Sequence, residues 1–365
     1  MVSELESHER ARKPNGRSSV SGIIRGWHRI PILIRSLTSG IIVSLLGVYA
    51  SLIAAALVPP PWSLLAFLGV SWILYKNFSG SWWPVETSKA RSHSIRTVSI
   101  PARLRKISLL SSFLLVILVQ SGFVFTFRII EYPADMMTSE YNFDEMPTWE
   151  AWLFILVSAM AAGIFEEMGF RGYAQVPLEE RYGTVAGITL VSILFLLSHL
   201  TQGWIAPLIF HVFAGSVLYG ILAFSSGSLV PGMIAHTIID VFMFSYWWSE
   251  VAGTFNRQPV GVAGIDLHFI LWTTIFVASS VLFFLAVRET NEVRHMLDSI
   301  EHAENREYLG FNSTSTNPID QDAFVNALNG IDPSKVGYLR SASETFYRWS
   351  NEIVARRNKS SIAIL

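Results

Sequence analysis

Three groups of ionisable residues sit where an apolar chain should hold none. Glu166-Glu167-x-x-x-Arg171 closes the apolar run 149–165. His199 ends the helix-like run 185–200, with Phe195 one turn before it. His236-x-x-x-Asp240 lies inside the run 229–248. In a bilayer these groups lie in or beside hydrocarbon, where an ionisable side chain is costly and marks a functional site by default. On a helix, Glu167 and Arg171 are four residues apart and share a face, so they can pair. Glu166 is about 100° away round the helix and is free of that pair. His236 and Asp240, again four apart, point together.

Each group alone has a plain structural explanation. The acids can be interfacial and neutralised by Arg171 and Arg181, His199 can be a satisfied helix end, and His236 with Asp240 can be a polar packing pair between helices. Their conjunction carries the argument. Hydrolysis of a peptide needs a base to activate water and donors to stabilise the oxyanion. Glu166 with His199 suits the first task, and His236 with Asp240 the second. The same four residues are also a donor set for a divalent metal such as zinc, with Glu167 behind them. No His-Glu-x-x-His run, a stronger zinc signal, is present. The chain has no Cys, which excludes disulfides, thiolate metal sites and cysteine-protease chemistry.

The elements that must position these groups are apolar helices. Of 365 residues, 51% are hydrophobic and only 15% charged, with 24 Phe and 12 Trp, which is too apolar for a soluble domain. Apolar runs lie at 37–58, 62–75, 107–130, 149–165, 185–200, 204–224, 229–248 and 267–287. Most are long enough to cross a hydrocarbon core of about 30 Å, although 62–75 is short. The expected fold is all-α, a polytopic membrane bundle of about eight transmembrane helices over 31–288. Residues 1–30 form a basic arm without the apolar core of a signal peptide. Residues 289–365 form a small soluble C-terminal tail, with a helix from Glu289, a linker at 312–322 and a second helix at 343–357. Residues 76–106 hold seven Lys or Arg and one acid, whereas 131–145 hold five acids and no Lys or Arg. The positive-inside rule then puts both termini in the cytoplasm.

The three groups, in this order and on separate helices, resemble the motifs EExxxR, FxxxH and HxxxN/D of the CAAX prenyl protease and bacteriocin-processing (CPBP, or Abi) family of intramembrane endopeptidases. The resemblance covers about 151–246. It implies a helical membrane core with a polar cavity open to the cytoplasmic side. Glu166 and His199 then activate water, His236 and Asp240 stabilise the oxyanion, and Glu167, Arg171 and Phe195 support the site. It implies no metal, or alternatively zinc on Glu166, His199, His236 and Asp240. Where relatives carry Asn at the last position this chain has Asp240, which donates a hydrogen bond only when protonated.

The expected partners are a peptide or protein substrate, with or without a lipid, and membrane lipids. A protein partner for the tail fits its length, and no nucleic acid is expected. The expected location is the cell membrane, with the endoplasmic reticulum as the alternative. Two rival functions are a non-catalytic scaffold or bacteriocin-immunity protein of the same fold, and a transporter that uses the buried acids and histidines as an ion or proton relay. No internal repeat of the kind many transporters show is present. His211 is a further candidate for a cavity-facing histidine, while His93, His268 and His302 read as surface or interface residues.

Overall fold

A computed structural model describes residues 26–27, 29–96, 100, 102–134, 143, 146–199 and 206–311. The basic arm to residue 25, most of the acidic loop, the linker at 312–322 and the helix expected at 343–357 lie outside the described residues.

Among the described residues the fold is all-α, with no strand. The main helices are α1 (Ile32–Ala56), α2 (Trp62–Phe78), α3 (Ser88–Ser94), α4 (Ala102–Ile129) and α5 (Thr148–Glu166). A π-helical segment, Glu167–Ala174, joins α5 to α6 (Gln175–Tyr182). Then come α7 (Thr184–Ser198), α8 (Ala206–Ser226), α9 (Val230–Phe242), α10 (Val260–Ala263) and α11 (Leu267–Phe311).

Proline sets several boundaries. It lacks an N–H and is tolerated where a helix begins. Pro31 caps α1, Pro61 caps α2, Pro147 caps α5, and Pro231 lies in the first turn of α9. Between α6 and α7 the chain reverses at Gly183, whose φ of +86° favours glycine.

Among the described residues, five helices are long and apolar enough to cross a membrane: Ile32–Ala56, Leu104–Ile129, Thr148–Tyr182, Ile209–Ser226 and Leu267–Leu297. The expected count of eight is not reached by this measure. The other three apolar helices have 17, 15 and 13 residues. At 1.5 Å per residue the shortest spans roughly 20 Å, less than the hydrocarbon thickness. A π turn, Met243–Trp247, continues it without a break through the run 229–248. The protein is a membrane protein, and its outward side chains agree: Tyr49, Trp62, Phe113, Val281 and Leu285 are all exposed. Large apolar side chains exposed on several helices belong against lipid.

The span expected to end near Val287 and the helix expected from Glu289 form one continuous helix of 45 residues. From Ile300 the residues of that helix fall in a second unit. Within the first unit, α1 is buried along a stripe of small residues: Ser36, Gly40, Ser44, Gly47, Ser51 and Ala55. Lipid offers helices no hydrophobic reason to associate, so close packing of small side chains does that work. A second core gathers aromatics where α4 meets the end of α9. Phe123 and Phe127 pack on Trp247, whose Nε1 donates to Gln120 Oε1 at 3.0 Å.

Candidate active site

The site is built where α1, α5 and α9 touch backbone to backbone. A Cβ on Gly163 of α5 would lie 2.2 Å from Thr237 Oγ1 of α9. One on Gly169 would lie 2.4 Å from the Gly40 carbonyl oxygen of α1, and one on Gly232 would lie 2.7 Å from Glu167 Oε2. Only glycine permits these approaches. At the same place α5 gives way to the π segment. Such widened turns frequently accompany functional sites. Glu166 is the last residue of α5, and Glu167 the first of the π segment.

Glu167 and Arg171 are fully buried, with Arg171 Nη1 3.2 Å from Glu167 Oε1. The i,i+4 pairing expected from the sequence is therefore present. Arg171 also donates through Nη2 to Ser216 Oγ at 3.1 Å. Its guanidinium lies 4.7 Å from the centre of the Phe195 ring and 5.0 Å from that of Tyr219, a cation–π arrangement.

His236 is the hub. Its Nδ1 is 3.0 Å from Glu167 Oε1. An ionised carboxylate only accepts, so Nδ1 carries the hydrogen of this bond. Its Nε2 then faces Asp240 Oδ2 at 3.5 Å and Glu166 Oε2 at 3.9 Å. Tyr219 stacks on the imidazole at 4.7 Å and 21°, and Phe195 meets it edge-on at 6.3 Å. The ring is thus held from both sides and at one nitrogen, with the other nitrogen between two acids.

His199 stands at the C-terminal end of α7. Its Nδ1 donates to the Phe195 carbonyl at 2.7 Å and is 3.1 Å from Ser198 Oγ. No hydrogen bond joins His199 to Glu166 among the described residues. Both nevertheless line one cavity of about 300 Å³, together with His236 and Asp240. Much of the remaining wall is apolar, including Val119, Phe123, Phe154, Met243 and Trp248. Two carboxylates and two imidazoles from α5, the end of α7 and α9 therefore share one partly enclosed space.

His211 also reaches this wall. Its Nε2 is 2.8 Å from Thr126 Oγ1, and its ring stacks on Phe123 at 4.3 Å. His93 pairs with Glu180 at 2.8 Å, with both side chains exposed, and His268 lies 3.4 Å from Arg128 Nη1. The side chain of His302 lies outside the described residues. Sequence reasoning missed Ser216 and Tyr219, because α8 carries no charged motif to draw attention to its buried face. The available signal was their spacing with Val212, which repeats at three to four residues. Among the described residues, no group of three or more His, Cys, Asp or Glu is arranged to hold a metal ion.

Residues 148–242 match the family model of type II CAAX prenyl endopeptidases, Rce1-like. No curated protein and no solved structure matches the chain. The Rce1-like segment runs from the first residue of α5 to the last residue of α9. It thus contains all three motifs, in agreement with the family resemblance they suggested. The cavity draws on more of the chain than the Rce1-like segment: Val48 of α1 and Phe123 of α4 complete its wall.

Proposed function

We propose that the protein is an intramembrane endopeptidase of the CAAX type, which hydrolyses a peptide bond near the membrane surface with Glu166 as base. One observation carries this reading. Glu166, His199, His236 and Asp240 line a single cavity whose other walls are largely apolar. In such a site few water molecules compete, and fixed polar groups act strongly on developing charge.

A water held between Glu166 and His199 attacks the scissile carbonyl. As the new C–O bond forms, Glu166 takes the water's proton and the carbonyl electrons move onto oxygen. The oxyanion is met by His236, which donates through Nε2 when both ring nitrogens carry hydrogen. Glu167 and Asp240 offset that charge. Collapse re-forms the carbonyl and breaks the C–N bond, while Glu166 returns the proton to the leaving amine. Arg171 and Glu167 fix His236. Phe195 and Tyr219 fix its plane. No step in this sequence is routed through a metal. The substrate is a peptide or protein, with or without a lipid, and the enzyme sits in the cell membrane with both termini in the cytoplasm.

The test is cleavage of farnesylated and unmodified peptides by the detergent-solubilised protein, with and without chelator. Wild type is expected to cleave in both conditions. Glu166→Ala and His199→Ala are each expected to lose cleavage by about 100-fold or more, the usual range for a positioned base, while still inserting into membranes. Full activity in either variant would overturn the assignment. Loss with chelator and recovery with zinc would replace the metal-free reading. No cleavage of any peptide by wild type would favour a scaffold.

A further inference from the structure

Gly215 is half-buried and is placed differently from the buried helical glycines. It lies in the middle of α8, where glycine is a poor helix former. Elsewhere such glycines are explained by contact: a Cβ on Gly47 would lie 2.2 Å from Phe165, and one on Gly187 2.8 Å from Glu179. At Gly215 no described atom lies within 4 Å of the Cβ position. The position is nonetheless not on the outer surface, because Gly215 lines the cavity that holds Glu166 and His236. Its neighbour Ser216 holds Arg171, and Tyr219, one turn on, stacks on His236. Helix packing therefore gives no reason for glycine here. The space in front of it does.

The cavity this space belongs to has largely apolar walls. Val212 stands beside Gly215 on α8, and Val119 and Phe123 of the neighbouring α4 line the same cavity. We infer that Gly215 sets the size of the apolar substrate side chain seated beside the scissile bond, admitting a bulky aliphatic or aromatic group into the volume a side chain at 215 would fill. The inference rests on the protease reading and adds a specificity-determining position to it.

The chain has no cysteine, so Gly215→Cys carries a unique thiol. It is treated with methyl and benzyl methanethiosulfonate, with the exposed Gly69→Cys of α2 as control. Cleavage is then measured on peptides with Ala, Leu or Phe beside the scissile bond. Both reagents are expected to modify the thiol introduced at position 215. Gly215→Ala should raise the kcat/KM ratio of the Ala peptide to the Phe peptide by about tenfold or more, the scale of one methylene in an apolar pocket. The benzyl adduct should raise it further, and labelled Gly69→Cys should leave it unchanged. A thiol at 215 that accepts neither reagent overturns the inference whatever the enzyme cleaves. Equal losses on all three peptides overturn it alone. A wild type that cleaves none of the panel overturns the protease reading and the size rule together.

Discussion

Glu167 Oε1 holds the buried polar cluster together. It sits against Arg171 Nη1 on one side and His236 Nδ1 on the other, at 3.2 and 3.0 Å. Its neighbour in sequence, Glu166, instead meets the cavity. The Glu167–Arg171 contact was legible because it is local, four residues along one helix. The Glu167–His236 contact was not, because it spans 69 residues and depends on how α5 meets α9. The two variants at this pair separate structure from chemistry. Arg171→Ala leaves a fully buried carboxylate without its cation, which typically costs about 3–5 kcal/mol, and thermal unfolding in detergent should show a large fall in Tm. Glu167→Gln keeps the volume but replaces an acceptor that fixes His236 by an amide that can also donate. Its expected effect is a lower kcat with little change in KM, since the imidazole acts on the oxyanion more than on the bound peptide. A Glu167→Gln variant with wild-type kcat would remove His236 orientation from the mechanism.

At the scale of elements, the site depends on how closely helices approach. The lengths of the apolar runs placed the apolar helices near their observed positions, although the last runs on to Phe311. The π segment at Glu167–Ala174 had no visible signal; in the structure its Gly169 lies close against Gly40 and Ser44 of α1. The small-residue stripe on α1 was readable in principle, as serine, glycine and alanine recurring every three or four residues. Gly163 tests this scale. An added Cβ meets Thr237 Oγ1 at 2.2 Å, but also Thr237 N at 2.8 Å and Met233 O at 3.0 Å. The hydroxyl can be removed, whereas the backbone atoms cannot. Gly163→Ala should therefore destabilise by about 1–3 kcal/mol, the usual cost of overpacking, and lower cleavage as α9 carries His236 away from α5. Adding Thr237→Ala should recover only part of both losses. Full recovery in the double variant would mean that the hydroxyl alone, and not the close helix contact, sets the spacing.

The whole molecule was legible as a membrane bundle from composition and run length, but its long-range polar ties were not. Arg128 shows why. In sequence it is a cation at the end of a span, and in the structure it is buried, with Nη1 3.0 Å from Asp266 Oδ2 just before α11. Asp266 also accepts from the Phe269 backbone N–H at 2.8 Å, so it caps α11 while tying it to the end of α4. That backbone bond first, and Arg128 second, hold the Asp266 carboxyl below the usual aspartate range. A group whose folded-state pKa is lowered contributes stability above its unfolded pKa, near 3.9 for aspartate, and loses it as pH falls through the folded value. Thermal unfolding of wild type and Asp266→Asn in detergent should therefore differ at pH 7, with the wild type more stable. The gap should close as pH drops below about 4, into the range where the folded carboxylate itself takes up its proton. A gap that persists unchanged at pH 2 would assign the effect to the shape of the cap and not to its charge. No gap at pH 7 would mean that the tie between α4 and α11 is held by the surrounding aromatics, Phe125 stacked on Phe269 and Phe276 among them.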